Sequence, residues 1–308
     1  MKIPTKKLNN GFEIPIFGMG TAQFGGPDPY PPGNEEIIKN YDNKKDIFIL
    51  KSAIDSGVAY IDTAELYGNG RSEETVAKAI EGYDRSKLFI SSKVYPLNLH
   101  FDDVIKSAKR SLKRLKTDYL DLYIIHHPNL KIPLKETMEA FDYLVEEKFI
   151  KYIAVGGGFD IDLFKEAQSH AQNKIVLNNL QYSLIHREYQ IDGFINYAQS
   201  NDIMITAWRS IQLGELTKKG IAIVDEMCKK YNKTPAQIAI NWVVSQKNIV
   251  TVIRTTNIKH LKDDLGAIGW QMEDSDIDYL SKNFPDQKPF SEVRELPDFN
   301  YWSYVMHN

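Results

Sequence analysis

The chain of 308 residues has one cysteine, Cys228. A single thiol cannot build an internal disulfide framework or a cysteine-rich metal site. It suits a reducing compartment, where a buried structural thiol is its expected role. Basic charge is not in excess either, since 38 Lys and Arg face 41 Asp and Glu for a net charge of −3. Without a basic field there is no footprint for nucleic acid and no polybasic anchor for a membrane. Long apolar runs are also missing. None approaches the ~20 residues needed to span a bilayer, and the stretch from Met1 to Lys7 has no apolar signal region. These absences lead to an expectation of a cytoplasmic protein, monomeric or a small homo-oligomer, acting on small molecules. Two motifs are missing as well. Gly18-Met19-Gly20 lacks the third glycine of a Rossmann fingerprint and is not followed at once by a helix, and no H-E-x-x-H or H-x-H metal motif occurs.

What the chain does have is an ordinary globular composition, 43% hydrophobic and 26% charged, enough for a sizeable core. Apolar strand-like runs alternate with helical patterns about eight times. The strand candidates are Ile16 to Met19, Tyr60 to Asp62, Leu88 to Ser92, Tyr119 to His126, Ile153 to Val155, Ile175 to Gln181, Ile203 to Trp208 and Ile249 to Ile253. Between them, Phe101 to Leu115 carries Val104, Ile105, Ala108, Leu112 and Leu115 at helical spacing. Such alternation implies parallel strands with helical crossovers. Eight units predict one domain, residues 1–308, folded as an α/β (β/α)8 TIM barrel. Asn10-Gly11 between alternating residues predicts a short, tight N-terminal hairpin. Gln23 to Asp42, rich in Gly and Pro, reads as a long loop near the catalytic mouth. The aromatic tail from Pro285 is expected to pack back over the barrel.

Active sites of such barrels lie at the C-terminal ends of the strands. The second strand ends in Asp62 with Tyr67 just beyond, the third delivers Lys93, and the fourth His126 and His127. A phenol with a reference pKa of ~10 is a poor acid at neutral pH, but an ammonium beside it favours phenolate. Lys93 supplies that charge, Asp62 orients Lys93, and a histidine can bond a substrate carbonyl oxygen. Together they form a proton donor beside an oxygen that gains charge in the transition state. The missing hydride must come from a reduced nicotinamide, since no side chain can provide one.

Gly57 to Gly70, Ile90-Ser91-Ser92-Lys93 and Asp121 to Pro128 resemble the aldo-keto reductase superfamily, and the similarity runs from Gly18 to the region of Arg254. The resemblance implies an oxidoreductase acting on a carbonyl or alcohol such as an aldehyde, ketone or sugar, with NADP(H) favoured over NAD(H). It implies Asp62, Tyr67, Lys93 and His126 as the catalytic tetrad, Tyr67 being the general acid or base, and Phe24, His127 and Trp302 as pocket residues. It also implies a cofactor-facing set. Gly20, Thr21 and Asp62 join it, Asn179 stands where a carboxamide-binding glutamine is common, and Trp208 takes the nicotinamide-stacking place. Arg209, Ser210, Gln212 and Leu213 fall in the pyrophosphate loop. Arg254, Thr255, Thr256, Asn257, Lys259, His260, Asp263 and Asp264 form the adenosine-phosphate segment, where Arg254 can grip a 2′-phosphate. Where the family has a Ser-Asn pair, this chain has Gly156 and Gly157, followed by Gly158. The run is either a flexible turn, or a replacement for the missing contacts through its backbone amides or the room it leaves, favouring a bulky substrate such as a sugar or sugar nucleotide.

Two other functions compete with this one. A cofactor-binding regulatory subunit of a channel-type assembly would turn over little. A metal-dependent hydrolase would need His126 and His127 to converge, which neighbours on a persisting strand do not do.

Overall fold

The computed structural model describes residues 1–27, 35–285 and 287–288. Two short strands, β1 (Thr5–Lys7) and β2 (Glu13–Pro15), form an antiparallel hairpin. Eight more follow: β3 (Phe17–Gly20), β4 (Tyr60–Asp62), β5 (Phe89–Val94), β6 (Leu120–Ile125), β7 (Ile150–Gly156), β8 (Ile175–Gln181), β9 (Met204–Trp208) and β10 (Ile249–Ile253). They close into an all-parallel barrel, with β10 returning to pair with β3. The helix over Phe101–Leu115 matches its periodicity, burying Val104, Ala108, Leu112 and Leu115. Among the described residues, no helix is long and apolar enough to cross a membrane, and no cluster of three His, Cys, Asp or Glu could hold a metal.

Successive side chains on a strand face opposite ways, so the barrel has two cores. Ile61, Ile90, Tyr123 and Ile125 belong to the layer under the helices. Tyr60, Leu122, Ile124, Ala154, Leu177, Met204, Val250 and Val252 belong to the smaller interior core. The hairpin closes the bottom of that interior. Leu8, Phe12 and Ile14 are buried in it, and the Phe12 ring meets Tyr152 and Phe89 edge-on at 4.9 and 6.0 Å. Lys6 fastens the hairpin by donating to the carbonyls of Val244 and Ile249 at 2.7 Å each, and to that of Gln246.

Several details depart from expectation. The hairpin turn is a five-residue connection, Leu8 to Phe12, rather than a two-residue Asn-Gly turn, and is closed by Leu8 N–H on Phe12 O at 2.8 Å. The stretch predicted as loop contains a short helix, Glu35–Lys39. Its beginning is pinned, because Arg71 donates to the carbonyls of Gly25 and Pro27 at 2.8 and 2.6 Å. A Cβ on Gly25, whose φ is +79°, would come within 2.8 Å of Arg71 backbone. Cys228 is half-buried rather than buried. The tail begins by running back to the barrel, since Lys288 exchanges backbone hydrogen bonds with Ile185 and Arg187. The aromatic residues beyond it, Trp302 included, lie outside the described residues.

Candidate active site

Inward parity leads each barrel strand into one cavity of about 640 Å³, well inside the ~300–1,000 Å³ range of small-molecule sites. Gly20, Asp62, Lys93, Gly156, Asn179, Trp208 and Arg254 all line it. Each shares parity with an interior residue two positions earlier, as Asp62 does with Tyr60. Ile124 and Val252, one step deeper on their strands, also border the cavity. They are residues that strand parity could have identified.

Lys93 is the hub. Its ammonium donates to Asp62 Oδ2 at 2.7 Å, to the Thr63 carbonyl at 2.8 Å and to the Tyr67 hydroxyl at 3.3 Å. All three of its protons are engaged. Burial alone would lower Lys93, but Asp62 and Tyr67 beside it hold it above its ordinary value. The second Asp62 oxygen accepts from Ser91 at 2.7 Å, so the carboxylate cannot swing away without loss. Tyr67 sits in a tight turn, Tyr67–Gly70, in which Gly68 and Asn69 are left-handed. His126 meets the Tyr67 ring edge-on at 5.6 Å. Burial, then His127 and Lys93, push His126 well below its usual range. It is therefore a neutral imidazole, able to donate one N–H without bringing a charge. The structure thus brings the four sequence-predicted tetrad residues together.

His127 departs from the strand argument. β6 ends at Ile125, so alternation no longer separates the two histidines, and their rings stack at 5.0 Å and 13°. Gly156 lines the cavity, while Gly157 and Gly158 have a different use from the one expected. Gly157 N–H already donates to Asn179 O and Gly158 N–H to the Tyr189 hydroxyl, both at 3.1 Å, so neither amide is free for a ligand. The room at Gly157 is taken too, since a Cβ there would lie 2.1 Å from His127 Nδ1.

The rest of the cavity runs toward Arg254, Thr255, His260, Asp263 and Asp264. A nicotinamide cofactor fits these residues. Asn179 Oδ1 is buried and lacks a hydrogen-bond partner, which suits a carboxamide donor. Trp208 offers a ring face, and Arg209 lies over that ring at 5.3 Å. Arg254 is exposed at the far end, where a phosphate can reach it. Asp264 is 3% exposed, and burial followed by the neighbouring Asp263 pushes it up to about 7.

Some expected contacts are placed elsewhere. Phe24 is fully buried in the outer core, and Ala22 and Gln23 line the cavity in its stead. Ser210 turns inward to Thr251 Oγ1 at 2.6 Å, and Gln212 accepts from Gln181 at 3.3 Å. Both support the loop rather than border the cavity. Asn257 caps the helix Ile258–Leu265 through Lys259 N–H, and neither they nor Thr256 reach the cavity lining. Thr21 lines it, with its hydroxyl donating to Asp62 O at 3.0 Å. Leu213, Gly214 and Thr217 do so from the loop after β9, where Arg209, Gln212 and Leu213 all have positive φ. Three non-glycine residues in that region mark a strained loop.

A model of the Aldo/keto reductase family matches residues 17–283. The methylglyoxal reductase YeaE of Escherichia coli (strain K12) is 28% identical over 285 residues, covering 92% of this chain and 95% of that protein. A crystal structure of the thermostable aldo-keto reductase Tm1743, with the inhibitor epalrestat, superposes with a TM-score of 0.82 at 35% identity, covering 91% of this chain and 99% of that one. An aldo-keto reductase from Klebsiella pneumoniae, in complex with NADPH, superposes with a TM-score of 0.76 at 26% identity over 94% of this chain and 98% of that one.

Proposed function

The chain belongs to the aldo/keto reductase family, and from that premise we propose that it is an NADP(H)-dependent oxidoreductase interconverting a small carbonyl compound and its alcohol, with Tyr67 exchanging the proton. The observation that carries the reading is the ammonium of Lys93, bonded at once to Asp62 and Tyr67 beside a neutral histidine at the cavity wall.

When bound, the nicotinamide supplies or accepts hydride at the substrate carbon. In the reductive direction, His126 donates an N–H to the carbonyl oxygen and holds it near the Tyr67 hydroxyl. Tyr67 gives its proton to that oxygen as negative charge develops there. Lys93 stabilises the phenolate that is left, and Asp62 keeps Lys93 charged and aimed. Asn179 would hold the carboxamide, Trp208 would cover the ring, and Arg254 would grip the 2′-phosphate that distinguishes NADPH from NADH. NADPH in the Klebsiella pneumoniae relative supports the choice of cofactor.

A purified-protein assay following NADPH absorbance over a panel of aldehydes, ketones and sugars tests the reading. Tyr67→Phe is expected to lower kcat about 10²- to 10⁴-fold, and undiminished turnover would remove Tyr67 from this role.

A further inference from the structure

His127 is positioned by a contact that fixes which of its nitrogens carries hydrogen. Its Nδ1 lies 3.1 Å from the carbonyl oxygen of Gly157. A carbonyl only accepts, so Nδ1 must be the protonated nitrogen. Burial pushes the imidazolium down to about 4, so the ring is neutral near pH 7 and Nε2 keeps a bare lone pair. Nε2 makes no hydrogen bond among the described residues, and it is not sealed away as His126 Nδ1 is. The ring borders the cavity and stacks on His126, the group that would bind the substrate carbonyl. Gly157 is what permits this, because any Cβ would collide with the ring. The site therefore has a donor in one imidazole and a fixed acceptor in the next.

We infer that His127 accepts a hydrogen bond from a hydroxyl on the carbon beside the substrate carbonyl, so the enzyme prefers α-hydroxy aldehydes and ketones, open-chain sugars among them. The inference rests on the carbonyl oxidoreductase reading above. A substrate with an ether or a second carbonyl at that position places lone pair against lone pair, and the acceptor is screened from water but goes unmet. The selection is for a donor, not for polarity in general.

Hydroxyacetone and methoxyacetone test this, since both carry an electron-withdrawing oxygen beside the carbonyl but only the first can donate. The expected ratio of kcat/KM, hydroxyacetone over methoxyacetone, is about fivefold or more, the size of one hydrogen bond. It should fall toward one in His127→Phe. Gly157→Ala keeps the histidine but displaces its ring, and should lower the ratio in the same way. Circular dichroism would confirm that each variant is folded. Nitrogen-15 shifts of labelled histidine, assigned with the His127→Phe protein, should report Nδ1–H and a bare Nε2. A ratio near one in the wild type, a ratio unmoved in both variants, or the Nε2–H tautomer would each overturn the inference. Turnover of carbonyls without donor preference sinks this inference alone, whereas no NADPH oxidation with any carbonyl sinks the reading beneath it as well.

Discussion

The Glu65 carboxylate accepts the backbone N–H of Tyr95 at 2.8 Å. That bond ties the turn leading to Tyr67 to the chain just past Lys93. The same oxygen accepts from Asn98 at 3.1 Å, and the other lies 3.5 Å from Arg110 and 3.9 Å from Arg114. The backbone N–H of Glu65 also reaches Lys93 O at 3.4 Å, so Glu65 links the segment before Tyr67 to the strand that carries Lys93. Glu65→Ala should lower kcat about 10- to 100-fold, the scale of a small misplacement of reacting groups, with little change in NADPH affinity by fluorescence titration. Glu65→Gln, which keeps the acceptor, should recover most of the loss. Equal losses in both variants would show that the charge, not the tie, matters.

Asp62→Asn keeps the shape but leaves the Lys93 ammonium buried without its anion. Breaking a buried pair this way costs about 3–5 kcal/mol, to be read from denaturant unfolding. Lys93 is raised above its ordinary 10.5. Its contribution is therefore fully present below that pH and is lost as pH rises through the folded value. The gap between wild type and variant should stay constant through neutral pH and narrow only in the alkaline range.

Asp264 should give a slope of the same sign in a lower pH window. Its carboxyl titrates near 3.8 when unfolded and is pushed up to about 7 by burial and Asp263. The native state holds the proton longer, so stability drains away as pH rises across that window. Asp264→Asn should raise Tm more at pH 8 than at pH 5. An equal shift at both values would argue against a perturbed carboxyl.

Arg254 is exposed, so its hold on a phosphate is screened by solvent. Arg254→Met should weaken NADPH about tenfold and NADH much less, with the difference shrinking in high salt. Equal weakening of both cofactors would move the 2′-phosphate contact to another residue.

Phe12 lies far from the chemistry, at the bottom of the barrel. Phe12→Ala removes a fully buried ring and should cost about 3–5 kcal/mol of stability, while kcat at temperatures where the variant is folded stays as in the wild type. A large fall in kcat would mean that the lower barrel shapes the site.

Much of this was legible because barrel strands obey a two-residue parity. Tyr60 with Asp62 and Leu177 with Asn179 lie in the sequence as pairs, and the alternation that buries the first aims the second at the cavity. What was hidden depends on distance in sequence. Nothing near Gly157 shows that a histidine thirty positions earlier fills its space. The stacking of His126 on His127 was hidden for a local reason, because the strand argument holds only while β6 persists and β6 ends at Ile125. Phe24 follows Thr21 by three residues and looked poised over the mouth. A turn bond from its N–H to Thr21 O carries its ring into the core instead.

Among the described residues, the hairpin beneath the barrel closes its lower end and leaves the cavity to be reached from the other. Ile124 and Lys93 line the same cavity as Trp208 and Leu213. Traffic through a single opening is serial: a ligand seated deep can be trapped by one lying across the mouth. The order of arrival and departure is thus built into the architecture at the end of the barrel farthest from the reaction.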